Sequence, residues 1–221
     1  MNGTSSARHP AAAAVHYVTL GYTGTHTGCV GIAVFPWLRL IRVGLTLLGA
    51  PRVDLLATTR ITLRVWPNDL DINFHVNNGR YLALADISRM HWFVSTGVLT
   101  IARQQNSFPV VGDAIAKFRR ELKAFQTFEI HTRLVGWDHR WGFLEHRFVR
   151  DQRVIGVVAI RGIFKGPHGP LDPGTLLDGL AHASPSPQLP AWVNHFQQGS
   201  ELLSESLREE ERAQGLRARS G

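Results

Sequence analysis

Between Pro109 and Lys165 the chain passes through four β-type stretches in succession, with almost no helical period to interrupt them. They run from Pro109 to Leu122, Phe125 to Trp137, Trp141 to Arg150 and Arg153 to Lys165. The pieces "DHR" and "DQ" that separate the last three are long enough only for hairpin turns, so those strands are antiparallel neighbours. Ahead of them stands one long helical stretch, "NNGRYLALADISRMHWFVSTGVL", and ahead of that one alternating strand, "TTRITLRV". The helix is capped by Asn77 or Asn78, stops at Gly97, and turns Leu82, Ala85, Ser88 or Arg89, and Trp92 along one face. A sheet curled around that single helix is the simplest way to bury both apolar surfaces. The predicted fold class is therefore α+β, one domain with a curled antiparallel sheet around a central helix.

A chain of 221 residues that is 44% hydrophobic can bury one good core, or one domain with appendages. Cys29 is its only cysteine, which excludes an intramolecular disulfide and fits a reducing, cytoplasmic setting. The formal charge of +7 comes from 21 Arg and 3 Lys spread along the chain, without a basic arm or an aromatic RNA-binding motif. Nucleic acid is accordingly not an expected partner, whereas phosphate-bearing or acidic partners fit such a surface. The histidines show no H-E-x-x-H spacing, so neither a metal nor another cofactor is expected.

Residues 1–33 read as a poorly ordered tail, with an actual start near Val34 as the other reading. Residues 34–50, with "FPWLRLIRVGLTLLG", read as an amphipathic helix ended by Gly49 and Pro51. Its Trp37, Leu38, Ile41, Leu45 and Leu48 recur at helical spacing and are expected to pack on the domain. The competing reading is a weak peripheral membrane contact with Arg39 and Arg42 at the headgroups. Residues 51–180 form the domain proper. Residues 181–221 hold a Pro-rich link, "SPSPQLP", and a charged helix from about Ala191 to Arg212.

The junction between the first strand and the long helix is "DLDINFHVNN", residues 69 to 78. Free N–H groups at a helix start favour developing negative charge, so acids and amides here can be more than a turn. The segment "DLDINFHVNNGRYL", with "FEIHTRLVGWDHR" and "LEHRFV" downstream, resembles hotdog-fold acyl thioesterases of the 4-hydroxybenzoyl-CoA thioesterase type. Within them it is similar to the branch of thioesterase superfamily member six and its bacterial homologues. The resemblance covers roughly residues 58–165. It implies hydrolysis of an acyl-CoA or acyl-carrier-protein thioester in lipid metabolism, by a homodimer or higher homo-oligomer.

Plant acyl-carrier-protein thioesterases carry D-x-N-x-H followed by Y-R-R-E-C, and this chain has Asp71, Asn73, His75 and then "FRREL". The resemblance therefore implies Asp71, Asn73, His75 and Glu121 as catalytic residues. Leu122 occupies the cysteine position, which removes a thiol mechanism there. Phe74 stands where many relatives have Gly and is expected to reshape the mouth of the acyl pocket. Asp71 would act as base or nucleophile, and Asn73 would fix water or substrate. His75 is open between proton relay and a half-buried subunit contact. Glu121 is open between a second base, a group that holds His75 in one tautomer, and a salt bridge among Arg119, Arg120 and Lys123. Asn77, Asn78 and Tyr81 are the substrate-side residues, with capping and core packing as their structural alternatives. Asp69 is assigned to the turn. Two other functions fit the same frame: a non-catalytic acyl-binding or regulatory protein, and, ranked lower, a hydratase.

Overall fold

A computed structural model describes residues 37–47, 50–178, 180 and 185–215. The expectations for residues 1–33, for Leu48 and Gly49, and for the final "RARSG" lie outside them. The elements are helix α1 (Trp37–Leu45), strand β1 (Thr59–Arg64), helices α2 (Asn78–Thr96) and α3 (Val98–Gln104), and strands β2 (Phe108–Phe118), β3 (Thr127–Trp137), β4 (Gly142–Arg150), β5 (Arg153–Gly166) and β6 (Gly169–Leu171). Helices α4 (Pro173–Leu177) and α5 (Ala191–Ala213) follow.

The five long strands pair antiparallel in the order β1-β3-β4-β5-β2, and β6 pairs with β5. Hairpins join β3 to β4 and β4 to β5, as the short "DHR" and "DQ" pieces require. Asp151 and Gln152 both take positive φ, the backbone that a tight two-residue hairpin needs. Register shifts at Val111/Asp113, Leu134/Gly136 and Phe148/Val149 bend the sheet. At Gly112 a Cβ would come within 2.6 Å of the Trp141 ring, so only glycine lets that indole lie against the sheet.

The curl wraps α2. Its N-cap is Asn77, whose side chain accepts the N–H of Gly79, and Gly97 ends it at φ 82. The buried stripe runs through Tyr81, Leu84, Ala85, Ser88 and Trp92. Leu82, expected on that stripe, is 42% exposed: the helix is rotated by about one residue, because Tyr81 wedges between Phe118 and Phe148. Midway along α2 the core turns polar. Ser88 bonds Thr132 at 2.6 Å and Thr132 bonds Nδ1 of His146 at 2.8 Å, all three fully buried. Burial, helped by the Arg89 charge, pushes the His146 pKa down to about 3, so this imidazole stays neutral in the folded protein.

Two elements flank the domain. Helix α5 lies on the other side of the sheet, where Val193 packs with Val135 and Phe143 and Glu201 pairs with Arg161. Helix α1 does pack on the domain, but not through the stripe that its periodicity singles out. Arg39, Leu40 and Val43 face in, while Leu38, Ile41 and Leu45 are 83%, 58% and 61% exposed.

Candidate active site

Asp69 anchors the junction. It lies in the short 3-10 turn Pro67–Asp69 and is 1% exposed. Its carboxylate accepts two bonds from Arg39, at 3.0 and 2.6 Å, two from Arg80, at 3.2 and 3.0 Å, and the N–H of Trp66 at 2.8 Å. Burial alone would raise its pKa; the arginine bonds, the Trp66 N–H and the Arg39 charge overcome this and hold it below the ordinary value. Its carbonyl accepts the N–H of Asn77, which sets the start of α2. The turn assignment thus understated Asp69: it ties α1, β1 and α2 together, because Arg39 also donates to the carbonyl of Arg64.

Past Asp69 the chain makes a tight loop closed by Asp71. The Asp71 N–H donates to the carbonyl of His75 at 2.8 Å, and Phe74 donates back to the carbonyl of Asp71 at 3.1 Å. Oδ1 of Asp71 accepts the N–H of Asn73 at 2.8 Å and that of His75 at 3.4 Å. One carboxylate oxygen therefore shapes the loop, while Oδ2 has no partner among the described residues. Asn73 is exposed.

Phe74 sits at φ 58 and is 77% exposed, so it lines no pocket mouth among the described residues. A left-handed conformation costs a bulky residue about 1–2 kcal/mol, which is why glycine suits this position. Phe74→Gly is expected to stabilise the domain by about 0.5–1 kcal/mol, the strain relieved less the added freedom of the unfolded chain. A chemical-denaturation midpoint that falls would contradict this.

Across the loop stands the segment after β2. Glu121 is not on the strand: β2 ends at Phe118, and Leu122, fully buried, pins the next residues by accepting the Val76 N–H. A bridge between His75 and Lys123 places the Glu121 carboxylate 2.5 Å from Nε2 of His75 and 3.0 Å from Nζ of Lys123. The Lys123 hydrogen bond, opposed by burial and aided by His75, keeps Glu121 below the usual carboxylate range. Glu121 thus pairs with Lys123 and with His75 at once. Of the three cations expected beside Glu121, Lys123 is the one that pairs with it among the described residues.

The remaining candidates separate. Asn77 is the cap, and the N–H of Asn78, first in α2, has no acceptor among the described residues. A donor at this helix start is suited to a developing oxyanion. Tyr81 is 3% exposed and sits in the core, where burial raises its pKa to about 12. A separate apolar cavity opens between the far half of α2 and the sheet, where Trp92, Phe93, Leu134, Leu144 and Phe164 line it with Val110 and Val111 of β2. Arg89 is its one charged wall residue.

Residues 65–183 match the model of the thioesterase-like superfamily, more than half of the chain. The chain belongs to the thioesterase-like superfamily. Protein THEM6 of Xenopus laevis is 33% identical over 160 residues, covering 71% of this chain and 75% of that protein. Its Danio rerio counterpart is 37% identical over 100 residues, covering 45% of this chain and 50% of that one. The chain thus spans about half to three quarters of the length of these relatives. The solved structure of YbaW, a probable thioesterase from Escherichia coli, aligns at TM-score 0.50 and 20% identity, covering 54% of this chain and 90% of that one. That likeness bears on the fold: the curled sheet around α2 is the hotdog arrangement that "DLDINFHVNNGRYL" implied.

Proposed function

We propose that this superfamily member hydrolyses an acyl thioester, carried on coenzyme A or on an acyl carrier protein, to the free acid and thiol. The observation that carries the reading is the junction itself: the Asp71 carboxylate with one open oxygen, His75 paired with Glu121, and the open Asn78 N–H all belong to the loop that leads into a buried helix or to the helix's first residue. Water attacks the thioester carbon, Asp71 accepts its proton, and the helix start stabilises the oxyanion before the thiolate leaves. Direct attack by Asp71, followed by hydrolysis of the resulting anhydride, uses the same groups. Four cations, Arg120, Lys123, Arg150 and Arg153, line a hollow with two acids, Glu121 and Asp151, and the excess of positive charge favours a phosphate-bearing carrier. A panel of acyl-CoA and acyl-carrier-protein thioesters with a thiol-release readout tests the reading. Binding without release on every member would leave an acyl-binding protein instead.

The substrate's acyl end calls for a second copy. Trp92 is fifteen positions along α2 from Asn77, about 22 Å, so the cavity and the reactive loop of one chain are far apart. Strand β2 is a sheet edge, and its Val111, Ile115 and Phe118 are 39%, 41% and 41% exposed. Antiparallel pairing of β2 with its copy would lay Val110 and Val111 of one chain against the Phe118 end of the other. The cavity of one copy would then open towards the loop of its partner. The homodimer reading predicts that Ile115→Lys gives a monomer with turnover at background. Light scattering of an active parental monomer at micromolar dilution would refute it.

A further inference from the structure

The side of α1 that the domain leaves uncovered is its most apolar one. At about 100° per residue, Trp37, Ile41, Leu45, Leu38 and Arg42 fall in that order around an arc of about 140°. Leu38, Ile41 and Leu45 are 83%, 58% and 61% exposed, Trp37 is 60% exposed, and Arg42 is exposed at the border of the arc. Arg39, Val43 and Leu40 occupy the opposite side. The rotation of the helix is not free. Arg39 donates to both carboxylate oxygens of buried Asp69 and to the carbonyl of Arg64, and Val43 is 7% exposed in the main core. Turning the aliphatic residues inward would break those bonds and leave the Asp69 charge short of a partner in a desolvated site. The domain therefore holds the apolar arc outward.

The charge on α1 itself has one sign. Helix α1 has no acidic residue, and the first acid in the whole chain is Asp54. On α1 and between it and that acid stand Arg39, Arg42 and Arg52. A second copy docking arc to arc would place Arg42 near Arg42 with no carboxylate on either helix to receive it, which disfavours self-association here. An anionic lipid surface satisfies both features at once. Aliphatic side chains enter the headgroup boundary, and a bordering arginine reaches the phosphates. Among the described residues no helix is long and apolar enough to cross a bilayer, so such a helix would lie on the surface.

We propose that α1 is an interfacial helix that seats the domain on an anionic lipid surface through Leu38, Ile41 and Leu45, with Arg42 at the headgroups and Arg39 committed to Asp69. This refines the membrane reading of the sequence, which gave both arginines to the headgroups. The test is flotation of the full chain with vesicles of phosphatidylcholine alone and of equal parts phosphatidylcholine and phosphatidylglycerol. The full chain should float with the anionic vesicles and bind the neutral ones at least about tenfold less. A Leu38→Glu/Ile41→Glu double variant should lose at least about tenfold of the anionic binding. Its melting temperature, oligomeric state and turnover of a soluble thioester should stay at the parental values. Three results would overturn the proposal: absence of flotation with anionic vesicles, equal binding to neutral ones, or parental binding by the double variant. A change of oligomeric state in the double variant would also overturn it, and would assign the arc to a contact between copies.

Discussion

Asp71→Asn is expected to lower kcat by about 100-fold or more on the best thioester of the panel, the usual scale for loss of a general base. The same variant should fold as the parent does. Asparagine keeps an Oδ1 acceptor for the N–H groups of Asn73 and His75, so the loop retains the bonds that shape it. What it loses is the negative charge and the open oxygen. Asp71→Ala is the complementary variant, because it removes the loop acceptor as well. It should cost about 1 kcal/mol of stability in addition to turnover. Parental turnover in Asp71→Asn, measured under saturating substrate, would reduce Asp71 to a loop-shaping residue and end the mechanism proposed above.

Asp69→Asn carries the largest expected effect on stability, about 3 kcal/mol. The substitution keeps the side chain's size but leaves Arg39 and Arg80, with side chains 11% and 21% exposed, facing a neutral amide. For a chain of this length that corresponds to a fall in melting temperature of roughly 6–12 °C. The effect has a defined pH window. Asp69 titrates below its ordinary value of 3.8, so its contribution is fully present above that value and is lost as pH falls through the lower folded one. Parent and variant should therefore differ most from neutral pH down to about 4 and converge in stronger acid. A thermal-melt series over that range checks both statements. A pH-independent gap would mean that Asp69 acts through packing rather than charge.

These two aspartates, two residues apart, show where reading a sequence reaches its limit. Asp71 was legible as a candidate because its motif is local: Asp71, Asn73 and His75 share one short loop, and that loop precedes a helix that the sequence also marks. Asp69 was read as a turn residue, which is what its neighbours say. Its partner Arg39 is thirty positions away, and no periodicity relates the two. The same bond explains α1. Helical spacing correctly found the arc of Trp37, Leu38, Ile41 and Leu45, but spacing alone does not state which side of a helix faces the protein. A buried carboxylate that draws Arg39 inward decides it.

The sequence by itself determined the α+β class, the run of antiparallel strands, the single long helix that starts at Asn77 or Asn78 and stops at Gly97, and the place of the candidate loop. Those follow from side-chain period, turn chemistry and capping, all of which act over a few residues. Only the tertiary structure decided that β2 is an edge of the sheet, that Glu121 leaves the strand to meet His75 and Lys123, and that the apolar cavity lies at the far end of α2 from the loop. Each of these depends on which strand pairs with which and on how the sheet bends. Such long-range contacts are chosen by the burial and charge balance of the whole domain, and no short window of residues contains that balance.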